Sequence, residues 1–510
     1  MITLKTSFEF WDYVVLIGYS LFVLLVGIMV AKKEMKGKEY FRGDGTIPWW
    51  VTAVSLFATM LSPISFLTLA GRSFLTNWSS WVGQLGIFIA VPLTIMFFLP
   101  VYKKLNIDTA YEYLEKRFDK RLRLLGSLMF VIFQIGRMSI VMYLPALALA
   151  IVTKIDINIL IVLMGAVAII YSYVGGIKSV LWTDFIQGLV LSLGAVFIVF
   201  FLGYQIHGGL GEVIRVGVAE NKFLDIANML DINIYKESFF IVLIGAGLST
   251  LSSYVSSQDM VQRYTTTRSI KEMKKMTYLN GFLSIGIATV FFFIGTGMYV
   301  FYKQNPTLLL THAEDQIFAS YIVSQLPVGV SGLLLAGIFA AGQSTLSSGL
   351  NSVATSWTLD IHKVLKGGMD NEAATKYAKI LSLLVGIVSI VVSIILAHSD
   401  LKSAFSWFNG FIGMVLGLVG GLFGLGIFTK KGNSNGALVG FAFAVAVSIG
   451  IKYFTKINFW AYSIISIVAC ILFGYIFSLI FKTKVKDNID ELTMYGIKKY
   501  NENCDTEEAI

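Results

Sequence analysis

Apolar residues run along this chain in blocks of about twenty, and the polar and charged ones collect between the blocks. A stretch of about 20 apolar residues, coiled as a helix, crosses the hydrocarbon core of a bilayer. Thirteen blocks approach or exceed that length: 10–31, 47–72, 78–101, 124–152, 157–174, 181–203, 238–257, 277–302, 328–358, 379–397, 403–428, 435–453 and 458–481. The pattern predicts an all-α polytopic membrane protein of about thirteen transmembrane helices. Nothing long enough for a soluble domain remains. The two longest connections, 204–237 and 303–327, have room for short helices. No small-residue cleavage site follows the first block, which reads as a retained helix and not as a signal peptide.

Composition agrees. The chain is 56% hydrophobic and only 14% charged, where a soluble domain carries about a quarter charged residues. The net charge of +9 raises nucleic-acid binding, but the basic residues sit in short loops and form no continuous face. They fall in every second loop: Lys32, Lys33, Lys36, Lys38 and Arg42, then Lys103 to Arg123, Arg263 to Lys275, Lys363 to Lys379, Lys430 and Lys431, and Lys482 to Lys486. With an odd number of helices this puts the N-terminus outside and the C-terminus in the cytoplasm.

The chemistry of an enzyme is missing. His207, His312, His362 and His398 all fall in loops or at helix ends, and Cys470 and Cys504 suggest neither a disulfide framework nor a metal site. No phosphate loop appears. The sequence offers no catalytic residues and no cofactor site.

What it offers is interrupted helices and buried polarity. Pro63 sits mid-membrane in Phe57–Phe66 and frees carbonyls of the preceding turn. A bound cation would satisfy them, and so would a kink repaired by Ser62 and Ser65. Gly245–Ser253, rich in Gly and hydroxyls, looks breakable too. These two segments lie five helices apart, which suggests an inverted repeat of five helices each around a midplane site. Ser344, Ser347 and Ser348 share one helix face. The row suits a hard cation, and equally the close packing of small residues. Arg137 lies deep in an apolar block, where it needs a cavity or a partner. A substrate carboxylate is one candidate and a structural ion pair the other. Asp184 begins a helix, either as a cap or as a carboxylate for a second cation.

The stretch Tyr171–Asp184, with the Ser344-Thr345 helix, the Phe57–Ser65 break and Gln258–Arg263, resembles the signature of the sodium:solute symporter family over about residues 5–482. Within that family the chain looks most like bacterial sialic acid symporters, through Arg137 and Asn77-Trp78…Gly83-Gln84. The resemblance implies a leucine-transporter-like fold. Residues 1–46 would form an extra helix and basic loop, 47–236 and 237–430 two inverted five-helix repeats, 431–482 two further helices, and 483–510 a cytoplasmic tail. It implies a first sodium site from the carbonyls of Ala58, Leu61 and Ala341 with the hydroxyls of Ser344 and Thr345. A second would use Asp184, Ser344, Ser347 and Ser348. Substrate contacts would fall on Ser62, Ser65, Gln84 and Arg137. The implied function is sodium-coupled import of an acidic sugar across a bacterial inner membrane. The partners are then the sugar, Na+ and the lipid bilayer, with sodium as coupling ion and no cofactor. Symport of a neutral sugar, proline, pantothenate or a monocarboxylate is the alternative, and a passive channel a more distant one. Met60 stands where the pattern has a hydroxyl, and Ser80 where it has an aromatic ring.

Overall fold

The computed structural model describes residues 9–31, 47–60, 62–174, 177–225, 230–267, 269–368, 370–399, 401, 403–481 and 488–496. The chain enters through α1 (Phe10–Ala31) and a bent pair, α2 (Trp49–Met60) and α3 (Pro63–Leu75). A long irregular helix α4 (Trp78–Leu105) follows, then the short α5 (Ala110–Arg117), α6 (Lys120–Thr153), α7 (Ile157–Val174), α8 (Ile177–Gln205) and the short α9 (Gly209–Ala219). Next come α10 (Phe239–Ser256), the short α11 (Gln258–Thr265), α12 (Ile270–Gln304), α13 (Glu314–Gln325) and α14 (Val330–Ser356). The chain closes with α15 (Asn371–Ala397), α16 (Ala404–Phe428), α17 (Ser434–Phe454) and α18 (Trp460–Ile480).

Among the described residues, eleven helices are long and apolar enough to span a membrane, and the α2–α3 pair makes a twelfth. The thirteenth block, α7, is a shorter apolar helix of which Ile157–Ile170 qualifies as apolar. The interruption expected at Pro63 is present. Pro63 is the first residue of α3, where its missing N–H has no partner to lose. Ser62 is extended (φ −77°, ψ 165°) and the two half-helices bend by 57°.

The second expected interruption moves. Gly245–Ser253 is unbroken helix, and the chain leaves helical geometry only at Ser257 (φ −87°, ψ 123°) before α11 begins. The glycines serve packing instead: a Cβ at Gly86 would lie 2.5 Å from the backbone nitrogen of Gly247, so α4 and α10 touch backbone to backbone.

Three residues counted among the loop charges are also corrected. Arg117 is buried and donates to the carbonyls of Gly426, Thr429 and Gly432 at 2.7–3.0 Å, closing the end of α16. Arg123 pairs with Asp360 at 2.7 Å and Glu115 at 2.6 Å. Arg263 is enclosed entirely. Asp12 of α1, which sequence inspection passes over, caps α14. Its Oδ1 accepts from Gly329 N, Ser331 Oγ and Gly332 N at 2.7–3.1 Å. Residues 488–496 pack back on the helices through Leu492, whose carbonyl accepts from Tyr113 Oη at 3.1 Å.

Candidate ion and substrate site

The end of α2 at the Pro63 break faces α14. A Cβ added at Gly342 would lie 3.4 Å from Pro63 Cγ. Two residues on, the hydroxyl face begins, and Ser344, Thr345, Ser347 and Ser348 are all buried. Ser344 Oγ donates to Asp184 Oδ1. Thr345 Oγ1 donates to the Ala341 carbonyl at 3.0 Å, and Ser347 Oγ to the Ser344 carbonyl at 3.0 Å. Of the other first-site residues Ala58 and Ala341 are buried, and Leu61 lies outside the described residues.

Asp184, on α8, is the centre of a closed cluster. Its Oδ2 accepts from Ser55 Oγ at 2.7 Å and Arg263 Nη2 at 3.0 Å. Thr59 Oγ1, one turn from Ser55 on α2, lies 3.3 Å away. Arg263 Nη2 also donates to Thr59 Oγ1 at 2.6 Å and Ser348 Oγ at 3.1 Å. Its Nε lies 3.3 Å from Ser55 Oγ, and its Nη1 donates to the Asp259 carbonyl at 2.7 Å. Four helices, α2, α8, α11 and α14, thus meet on one carboxylate and one guanidinium, neither exposed at all. Among the described residues no group of histidine, cysteine and acidic side chains could hold a transition metal. The oxygens of Asp184 and the serines suit a hard cation instead.

Arg137, on α6, does not open on a cavity. Its Nη1 pairs with Asp259 Oδ2 at 2.6 Å and its Nη2 donates to the Thr59 carbonyl at 2.6 Å. That carbonyl belongs to the last turn of α2, freed by the break, so the arginine closes the C-terminal end of the half-helix. Ser257 Oγ donates to the other Asp259 oxygen.

A cavity of about 170 Å³ lies between α2, α3, α4, α10 and α16, bounded by Met60, Ser65, Gln84, Thr250, Phe408 and Asn409 among others. Ser65 and Gln84 of the expected substrate residues line it, while Ser62 and Arg137 do not. Met60 puts a thioether on its wall. Ser80 is elsewhere, donating to Glu237 Oε2 at 2.9 Å.

Sequence reasoning assigns no place in the site to Ser55, Thr59, Asp259 or Arg263. One signal was legible: Asp259 and Arg263 are four apart, on one face of a helix. The partner Asp184 lies 79 residues from Arg263 in sequence, and no local pattern shows that contact.

Residues 40–443 match the profile of the sodium:solute symporter family. The sodium/sialic acid symporter SiaT of Proteus mirabilis is 37% identical over 487 residues, 95% of this chain and 98% of that protein. A solved Na+-coupled sialic acid symporter, in a substrate-bound outward-open state with a novel Na+ site, superposes with a TM-score of 0.88 at 38% identity, over 94% of this chain and 100% of that one. Mhp1, a nucleobase-cation-symport-1 family transporter, superposes with a TM-score of 0.55 at 15% identity, over 89% and 96%. That likeness concerns the fold alone.

Proposed function

The chain belongs to the sodium:solute symporter family, and on that premise we propose that it imports an acidic sugar of the sialic acid class by sodium-coupled alternating access. The observation that carries the reading is the broken helix at Pro63 set against the buried hydroxyl face of α14, with Asp184 beside it. Unwound carbonyls and hydroxyls at mid-membrane are what a hard cation needs.

The first sodium is assigned to the carbonyls of Ala58, Leu61 and Ala341 and the hydroxyls of Ser344 and Thr345. The second is assigned to Asp184, Ser344, Ser347 and Ser348. The sugar is assigned to the cavity, against Ser65 and Gln84; Ser62 and Arg137, which lie outside its wall in this structure, are assigned to the sugar as well, Arg137 as the cation for its carboxylate once Asp259 releases it. Residues 47–236 and 237–430 form the two inverted repeats that rock about the site. The N-terminus lies outside and the C-terminus in the cytoplasm.

Energetics favour a second ion. One charge crossing 100 mV is worth ~2.3 kcal/mol, and an assumed tenfold sodium gradient adds ~1.4 kcal/mol per ion. One sodium with one anion moves no net charge and concentrates the sugar roughly tenfold. Two sodiums with one anion gain about 5 kcal/mol, a several-thousand-fold accumulation.

The test is uptake of labelled N-acetylneuraminate into proteoliposomes, competed by neutral sugars, proline, pantothenate and monocarboxylates. Uphill uptake that needs sodium and yields only to acidic sugars is expected. Uptake indifferent to sodium, or abolished by a neutral competitor, overturns the reading. Arg137→Ala is expected to abolish sugar binding while sodium binding persists; unchanged sugar affinity would remove Arg137 from the site.

A further inference from the structure

Two carboxylates and two guanidiniums form a chain through the site: Asp184 with Arg263 at 3.0 Å, and Asp259 with Arg137 at 2.6 Å. Each cation meets an anion, and the side chains are at most 7% exposed. Arg263 is the link. It sits four residues after Asp259 on α11, and its Nη1 already bonds the Asp259 carbonyl at 2.7 Å, so its guanidinium lies along the turn that carries the Asp259 carboxylate.

We propose that this chain is a charge relay: sodium arriving at Asp184 displaces Arg263 onto Asp259, and Asp259 in turn releases Arg137 to the carboxylate of the sugar. The relay rests on the assignment of Asp184 to the second sodium and Arg137 to the sugar.

The geometry gives three reasons. First, Arg263 Nη2 is bonded to Asp184 and Ser348, two members of the second-site oxygen set. Sodium and Nη2 therefore compete for the same oxygens, and two cations on one buried carboxylate repel. Second, a guanidinium pushed from Asp184 cannot remain unpaired in a buried site. The Asp259 carboxylate is the anion on its own helix, one turn away. Third, Arg137 is closed off from the cavity while Asp259 holds it, and a carboxylate shared with Arg263 holds it less tightly.

The exchange conserves charge at every step. Two ion pairs become three, with sodium entering at one end and the anionic sugar at the other. Neither ligand leaves a bare charge when both are bound, whereas either one alone does. That is positive coupling between the two sites, and it is reciprocal. The extended backbone at Ser257 (φ −87°, ψ 123°) separates α11 from α10.

The experiment measures the sugar's Kd in the full-length chain in detergent, with potassium replacing sodium across a titration. Wild type is expected to gain affinity with a sodium power near two. Asp259→Asn removes the anion that holds Arg137 and leaves it only the Thr59 carbonyl: the variant's Kd at low sodium should tighten about tenfold and the power fall by about one. Asp259→Glu keeps the charge and should keep the wild-type power. Arg263→Gln removes the competitor, so sodium without sugar should stabilise the chain, by thermal shift, at several-fold lower concentration. Two results overturn the relay: wild-type power and low-sodium Kd in Asp259→Asn, or an unmoved sodium midpoint in Arg263→Gln. If Arg137→Ala abolishes sugar binding and those results appear, the relay alone fails. If Arg137→Ala binds normally, the site assignment fails first.

Discussion

Ser344 donates to a buried carboxylate and is also assigned to both sodium sites, so its hydroxyl matters twice. Replacing it removes an oxygen ligand without removing charge. Ser344→Ala is expected to raise the sodium concentration for half-maximal uptake by about tenfold, the loss of roughly one hydrogen bond to a charged group. A sodium titration at saturating sugar checks it, and an unchanged midpoint would remove Ser344 from ion binding. Asp184→Asn keeps the shape and removes the charge. The sodium Hill coefficient of uptake should then fall toward one, and a wild-type coefficient would mean that no coupled ion sits at Asp184. In the sequence Arg137 stands out because a charge inside an apolar block is costly, Ser344 because it shares a helix face with Ser347 and Ser348, and Asp184 as the carboxylate that would begin a helix. The sequence does not show that Arg137 and Arg263 spend their charge on Asp259 and Asp184. Both pairings join helices far apart in sequence.

At the scale of elements, Pro63 was legible because proline acts through its own ring and missing N–H. The second break was not. Gly and Ser lower helix stability, yet Gly245–Ser253 is helical throughout, with α4 and α10 in close backbone contact at Gly86 and Gly247. The interruption falls where the chain turns into α11, at a residue with no local signal. Asp12 is the other silent element-scale device. Its carboxylate accepts from the first N–H groups of α14, where a helix carries positive partial charge. Asp12→Ala leaves those donors buried and unpaired, a cost of about 1–3 kcal/mol. The apparent Tm in detergent should drop by several degrees, with Asp12→Asn recovering part of it. An unchanged Tm would mean that α14 needs no cap from α1.

For the whole molecule, a group of charges joins α3, the segment before α10, α13 and the start of α16. Arg72 pairs with Glu237 at 2.5 Å and with Glu314 at 3.4 Å, Ser403 Oγ donates to Glu314 at 3.0 Å, and the Ala404 N–H to Asp315 at 3.0 Å. Burial, partly offset by the Ala404 N–H and reinforced by Glu314, raises the Asp315 carboxyl from its ordinary 3.8 to about 7. The folded chain therefore holds a proton that the unfolded chain has lost between those values. Stability from this group is fully present at low pH and is lost as pH rises from 3.8 towards 7, by up to about 4 kcal/mol. The Tm should fall between about pH 4 and pH 7, and Asp315→Asn should flatten that slope; a slope unchanged in the variant assigns it to other groups. Transport as a whole is tested by imposing a membrane potential. Two sodiums with one anion carry net charge, so accumulation should rise with an inside-negative potential. Indifference to potential would fit one sodium per sugar.

The sequence by itself determined that the chain lives in a bilayer, where its helices lie and where one of them must break. Each of those follows from the solvent, from residue composition or from a single ring, all local causes. It also placed a hydroxyl row on one helix face, because the helical period is fixed. Tertiary structure decided which buried charges answer one another, and where the second break falls. A charge in low dielectric takes whatever opposite charge the fold brings within reach, and that distance belongs to packing between helices.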